Sequence, residues 1–127
     1  MTIVVDASAA YVALSGSGAD AALREADELI APDLLVAELL DARWKMMRAR
    51  YAAPALELTL AFVSRVRLVS SFDYANDADT LARSIDHPVY DCLYAAVAAR
   101  ANATLVTADA RFAKKLPNVR SAVVSAT

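Results

Sequence analysis

At 127 residues the chain has the length of a single domain, 1–127, enough to bury roughly two-thirds of the surface its unfolded form would expose. A hydrophobic fraction of 58%, with two glycines and four prolines, excludes a disordered or low-complexity protein, and the lone Cys92 excludes an internal disulfide and disfavours a thiolate zinc cluster. A formal net charge of −2 excludes the global basic field of many nucleic-acid binders, so any polyanion has to be held locally.

Ile3-Val4-Val5 is the first strand candidate, and Asp6 closes it. A helix is expected over residues 7–14, then a break at Ser15-Gly16-Ser17-Gly18 and a second helix over 19–29. Leu29-Ile30-Ala31 before Pro32 reads as a short strand, and Asp33 is a candidate cap for a long helix reaching about Ala52. Pro54 ends that helix and starts another. Residues 67–70 suggest a third strand and 74–85 a helix. His87-Pro88 opens a helix reaching about Asn102. Thr104 to Thr107, a short helix over 110–115 and Val119 to Val124 complete the pattern. Short apolar strands alternating with helices predict a mainly parallel sheet covered on both faces, a three-layer α/β/α sandwich.

The long helix carries two apolar stripes. Leu35, Leu39, Ala42 and Met46 form one, and Val36, Leu40, Trp44, Met47 and Tyr51 form a second, roughly opposite. Burial on both sides would absorb them within one chain. An external position would leave the Trp44 face to a second copy, and a homodimer is the favoured expectation. Glu38, Asp41, Lys45 and Arg48 occupy the remaining polar face. They read either as a solvated face with an Asp41–Lys45 ion pair, or as a site acid with two cations near a phosphate backbone.

Four acids stand where apolar segments end or helices begin: Asp6, Glu38, Asp91 and Asp109. Singly, each has an ordinary explanation. Asp6 and Asp109 are good N-caps, and Asp91 in a first turn is favoured by the helix dipole. Jointly they point elsewhere, because Asp6 and Asp109 both follow strands and ligands of open α/β sheets bind at the carboxyl ends of strands. Carboxylates converging there repel one another unless protonated or bridged by a hard cation such as Mg²⁺. Ser8 and Thr107 are candidate supports that orient a ligand or bound water, against simpler roles as cap and strand residue. Asp91 shares its face with Ala95, Ala98 and Asn102, small enough for close approach. His87 has no nucleophile to pair with and is assigned no role. Cys92 is read as a small buried hydrophobe.

The blocks VVDASAA, PDLLVAELLDA, YDCLYAAVAARANA and LVTADARF, in that order over nearly the whole chain, resemble the signature segments of PIN-domain ribonucleases, and within them VapC-type toxins of bacterial toxin–antitoxin modules. The resemblance implies that Asp6, Glu38, Asp91 and Asp109 bind Mg²⁺ or Mn²⁺ and drive RNA phosphodiester hydrolysis to a 5′ phosphate and a 3′ hydroxyl. Asp6, Asp91 and Asp109 are the implied metal ligands, with Glu38 direct or through water. It also implies a homodimer and a cognate antitoxin. Asp41 departs from the pattern, standing where many members carry Asn or a small residue, and is a secondary candidate for the site.

Rival readings are a catalytically weak member of the same fold that binds protein, and a phosphoacceptor receiver domain. The receiver lacks support: Asp6 stands alone, the third strand meets Ser70-Ser71, and no Lys follows Val124. A phosphatase with an Asp-x-Asp start fails at Ser8. No stretch is long and charge-free enough to span a membrane, and the opening residues lack a signal peptide's basic flank, so a cytoplasmic protein is expected.

Overall fold

The computed structural model describes residues 1–16 and 20–125. Ser17, Gly18 and Ala19 lie outside the described residues, and with them half of the expected break and the first residue of the expected second helix. The elements are β1 (Thr2–Val5), α1 (Ala7–Leu14), α2 (Asp20–Arg24), β2 (Glu28–Pro32), α3 (Leu34–Arg48), α4 (Leu56–Ser64), β3 (Val66–Val69), a 3-10 turn (Ser71–Tyr74), α5 (Ala75–Ile85), α6 (Val89–Ala101), β4 (Thr104–Thr107), α7 (Ala110–Lys115) and β5 (Ser121–Val123).

The strands form one five-stranded sheet in the order β3-β2-β1-β4-β5. Every pairing is parallel. The chain thus steps outward from β1 through β2 to β3, then returns past β1 to β4 and β5. Because parallel crossovers are right-handed, the helices of the two halves cover opposite faces. On one face α1, α3 and α4 pack together, and on the other α6 crosses β1, β2 and β4 with α5 beside it. The expected three-layer α/β/α sandwich is the fold observed. Its central strands are continuously apolar, as burial on both faces requires, with Val4, Val5 and Leu105 fully buried. Small residues on α6 allow close seating on the sheet: Ala95 and Ala98 are buried.

Several boundaries differ from the sequence expectation. The helix expected over 19–29 stops at Arg24, because Glu28 to Pro32 pairs with β1 and β3 and its Leu29, Ile30 and Ala31 are buried there. Burial between two strands outweighs helix propensity. The long helix ends at Arg48 rather than about Ala52. Arg50 takes a left-handed conformation (φ 65°), Arg50 N–H donates to the Met47 carbonyl and Tyr51 N–H to the Met46 carbonyl. This is a Schellman ending without its usual glycine, which is why the sequence did not signal it. Asp33 precedes α3 but makes no side-chain cap bond. Its carboxylate instead accepts from Ser71 N–H and Ser71 Oγ, which ties the start of α3 to the turn after β3 and holds the Asp33 carboxyl below its usual range.

Of the two stripes on α3, Leu35 and Leu39 are buried against the core, whereas Trp44, Met47 and Tyr51 are each at least half exposed. The second apolar face is therefore an outer surface of the chain. Among the described residues no helix is long and apolar enough to cross a membrane.

Candidate active site

In a doubly wound sheet the crevice opens where the strand order reverses, here between β1 and β4 at their carboxyl ends. Asp6 follows β1 at that point, its N–H bonded to the Val106 carbonyl of β4. Asp109 follows β4 by two residues. Both act as N-caps: Asp6 Oδ1 accepts from Ala9 N–H at 2.9 Å, and Asp109 Oδ1 accepts from Phe112 N–H at 3.0 Å. The ordinary explanation of each acid is thus correct, and it engages one carboxylate oxygen of each.

Ser8 and Thr107 bind the two turns together. Ser8 Oγ donates to Asp6 Oδ1 at 2.7 Å and accepts from Ala108 N–H at 2.9 Å, while Asp109 N–H donates to Thr107 Oγ1 at 3.1 Å. The two hydroxyl oxygens lie 3.3 Å apart. Asp6 is only 4% exposed, and burial pushes its carboxyl above the usual range, against the lowering effects of the Thr107, Ala9 and Ser8 bonds. The negative charge of Asp91 pushes in the same direction as burial.

Glu38 arrives on α3, in the same layer as α1, while Asp91 and Tyr94 come from α6 in the opposite layer. Its carboxyl is raised mainly by burial, with repulsion from Asp91, Asp6 and Asp41 added. Tyr94 OH donates to Glu38 Oε1 at 2.6 Å and partly offsets this. Asp6, Glu38 and Asp91 therefore oppose one another electrostatically around the Tyr94 phenol, which burial and the same acids hold in its neutral form. Asp91 also belongs to a second grouping, since ligand atoms of His87, Asp91 and Asp109 all lie within 4.8 Å of one another. Asp91 thus acts on Asp6 and Glu38 through its charge and lies close to Asp109, whereas among the described residues neither Asp6 nor Glu38 belongs to that 4.8 Å grouping.

His87 and Tyr94 are the site neighbours that sequence reasoning missed. His87 Nε2 is 2.7 Å from Asp91 Oδ2. A signal existed: both residues stand one helical turn from Asp91, at four positions before and three after. Asp41 is exposed and pairs with Lys45 at 3.0 Å, the ordinary ion pair that its spacing allowed. Both still line, with Glu38, Ser8 and Tyr11, a cleft of about 440 Å³ between α1 and α3. Arg48 is exposed farther along α3, its guanidinium 5.4 Å from the Trp44 ring centre. Cys92, next to Asp91, is fully buried, and burial pushes its thiol up to about 11, so it is an inert core residue.

Asp6 and Glu38, raised by burial and by neighbouring negative charge, and Asp109, held by its capping bond, offer hard oxygen donors suited to a divalent cation. Known proteins resemble this chain in sequence and in fold. Ribonuclease VapC3 of Pyrobaculum aerophilum is 33% identical over 126 residues, covering 92% of this chain and 96% of that one. The crystal structure of PAE2754 from the same organism superposes with a TM-score of 0.76 at 24% identity, over 95% of this chain and 89% of the other. That of VapBC2 from Rickettsia felis, bound to a DNA fragment from their promoter, gives 0.69 at 18% identity over 98% and 100%. The sequence pattern of the PIN domain matches residues 3–115, from β1 to the last residue of α7, and this chain belongs to the PIN-domain family.

Proposed function

We propose that the protein is a Mg²⁺- or Mn²⁺-dependent endoribonuclease that hydrolyses RNA phosphodiesters, and the toxin of a toxin–antitoxin pair. The observation that carries this reading is Asp91 at the switch point of the sheet, its charge adding to the burial that raises Asp6 and Glu38, with a carboxylate oxygen of Asp109 within 4.8 Å. The ribonuclease identity of the Pyrobaculum relative supports RNA as substrate, and the likeness to VapC-type toxins supports an antitoxin partner.

Asp6, Asp91 and Asp109 would hold the cation, with Glu38 direct or through water. When bound, the cation polarises the scissile phosphate and lowers the pKa of an attacking water. The protein supplies position. Capping bonds and the Ser8 hydroxyl fix Asp6, the Phe112 N–H fixes Asp109, and Tyr94 fixes Glu38. Lys45 and Arg48, on the α3 face beyond Glu38, are proposed to hold the RNA backbone. Water adds in line to phosphorus, the bond to the 3′ oxygen breaks, and the products are a 5′ phosphate and a 3′ hydroxyl.

The test is cleavage of RNA by the purified chain with Mg²⁺ or Mn²⁺ and with EDTA, with the ends mapped. EDTA is expected to abolish cleavage, and Asp6→Asn and Asp91→Asn to lose more than about 100-fold, beyond what supporting residues of metal sites contribute. Full activity of both variants with folds intact would overturn the assignment. Binding of a protein partner by a wild type that cleaves nothing would make the chain a binding module instead.

A further inference from the structure

His87 is held by its backbone, by one ring face and at both ring nitrogens. It follows the left-handed Asp86 (φ 53°) that ends α5, and its N–H donates to the Ala82 carbonyl at 3.1 Å. Its ring stacks on buried Phe112 with centroids 4.5 Å apart. Lys115 Nζ lies 3.4 Å from Nδ1 and also donates to the Asp86 carbonyl at 3.1 Å. Asp109, Phe112 and Lys115 recur at steps of three along α7, so one stripe of that helix carries a site acid, the platform for the ring and the ammonium beside it.

An ammonium has donors and no acceptor. With Nδ1 accepting from Lys115, the ring proton stands on Nε2, 2.7 Å from Asp91 Oδ2. A protonated nitrogen is not a metal ligand. Resting on the metal-dependent reading above, we propose that His87 is a positioning residue: locked by Lys115 and Phe112, it donates Nε2–H to Asp91 and fixes the rotation of that carboxylate, leaving the other Asp91 oxygen for the divalent cation. A ligating histidine followed by its supporting carboxylate is the usual order in metal sites; here the order is reversed, with carboxylate as ligand and imidazole as support.

The experiment is calorimetric titration of Mn²⁺, and separately Mg²⁺, into the full chain as wild type, His87→Leu, His87→Gln and Lys115→Met, with fold checked by melting in EDTA. His87→Leu is expected to weaken both cations by about 10- to 100-fold. His87→Gln keeps an N–H at similar reach and should recover most of the affinity. The Mg²⁺-to-Mn²⁺ affinity ratio should stay constant throughout. Lys115→Met, at an exposed position, should weaken both cations by up to about 10-fold. A purely structural histidine predicts lower melting with wild-type cation affinity, which would overturn the proposal. A selective loss of Mn²⁺ that glutamine does not rescue would make the imidazole a ligand and overturn it too. If His87→Leu does not fold, wild-type cation binding by Lys115→Met overturns the tautomer argument. A wild type that binds neither cation defeats the metal-dependent function as well, whereas failure confined to the His87 and Lys115 variants leaves that function standing.

Discussion

Asp6 combines two demands in one carboxylate. Its Oδ1 caps α1 and takes the Ser8 hydroxyl, while burial and the charge of Asp91 penalise ionisation. Because the folded-state pKa is raised above the ordinary 3.8, the stabilising contribution is fully present below that value and is lost as pH rises through the folded pKa. Asn caps about as well as Asp. In EDTA near neutral pH, Asp6→Asn should therefore melt a few degrees above wild type, corresponding to about 1 kcal/mol, and the gap should close as pH falls towards 3.8. Mg²⁺ should narrow or reverse it by stabilising the folded wild type. Differential scanning calorimetry decides: identical melting with and without Mg²⁺ makes Asp6 an ordinary cap. Glu38 shares the sign of the effect, with the Tyr94 bond opposing it.

At the scale of elements, α3 presents three surfaces with different fates. Leu35 and Leu39 enter the core, Glu38 meets the other acids, and Trp44 with Met47 faces outward. Lys45 lies beyond Glu38 along the same cleft, paired with exposed Asp41. An exposed pair of this spacing contributes only about 0.3 to 0.5 kcal/mol, so a phosphate can take Lys45 at little cost. Arg48, stacked loosely over Trp44, is similarly free to turn towards a polyanion. Replacing either by Ala should lower RNA affinity across sequences and reduce the slope of log affinity against log salt by roughly 0.7 per contact for single-stranded RNA. Specificity should barely move. Fluorescence anisotropy at several salt concentrations checks this, and unchanged slopes would return both residues to a solvated surface.

At the scale of the whole molecule, the outer side of α3 is an apolar surface in search of a cover. Leu40, Trp44, Met47 and Tyr51 are 38%, 52%, 51% and 66% exposed, too much for positions inside one chain's core. A homodimer would cover them, and that assembly is the proposal to test. Trp44→Glu should then keep the fold and shift the protein towards monomer, because pairing would bury a charge. Light scattering over a concentration series reads the result. A wild type that stays monomeric throughout rejects this assembly.

The sequence by itself determined the alternation of strands and helices, the parallel sandwich and the capping positions of Asp6 and Asp109, because apolar periodicity and capping preference act within a few residues. Ile3 to Asp6 reads as a strand ending in a cap whatever surrounds it. It also carried the family, since four short blocks in order are specific where each alone is not. Tertiary structure decided what depends on partners far along the chain. Pairing of Glu28 to Pro32 with strands on both sides ended a helix that local propensity would have continued. Ser71 took the Asp33 carboxylate from its expected cap. Tyr94 reached Glu38 across 56 positions, and Lys115 reached His87 across 28. The roles of the last two pairs rest on which atoms face each other once the strand order reverses at β1, and one-dimensional spacing carries no information about that reversal.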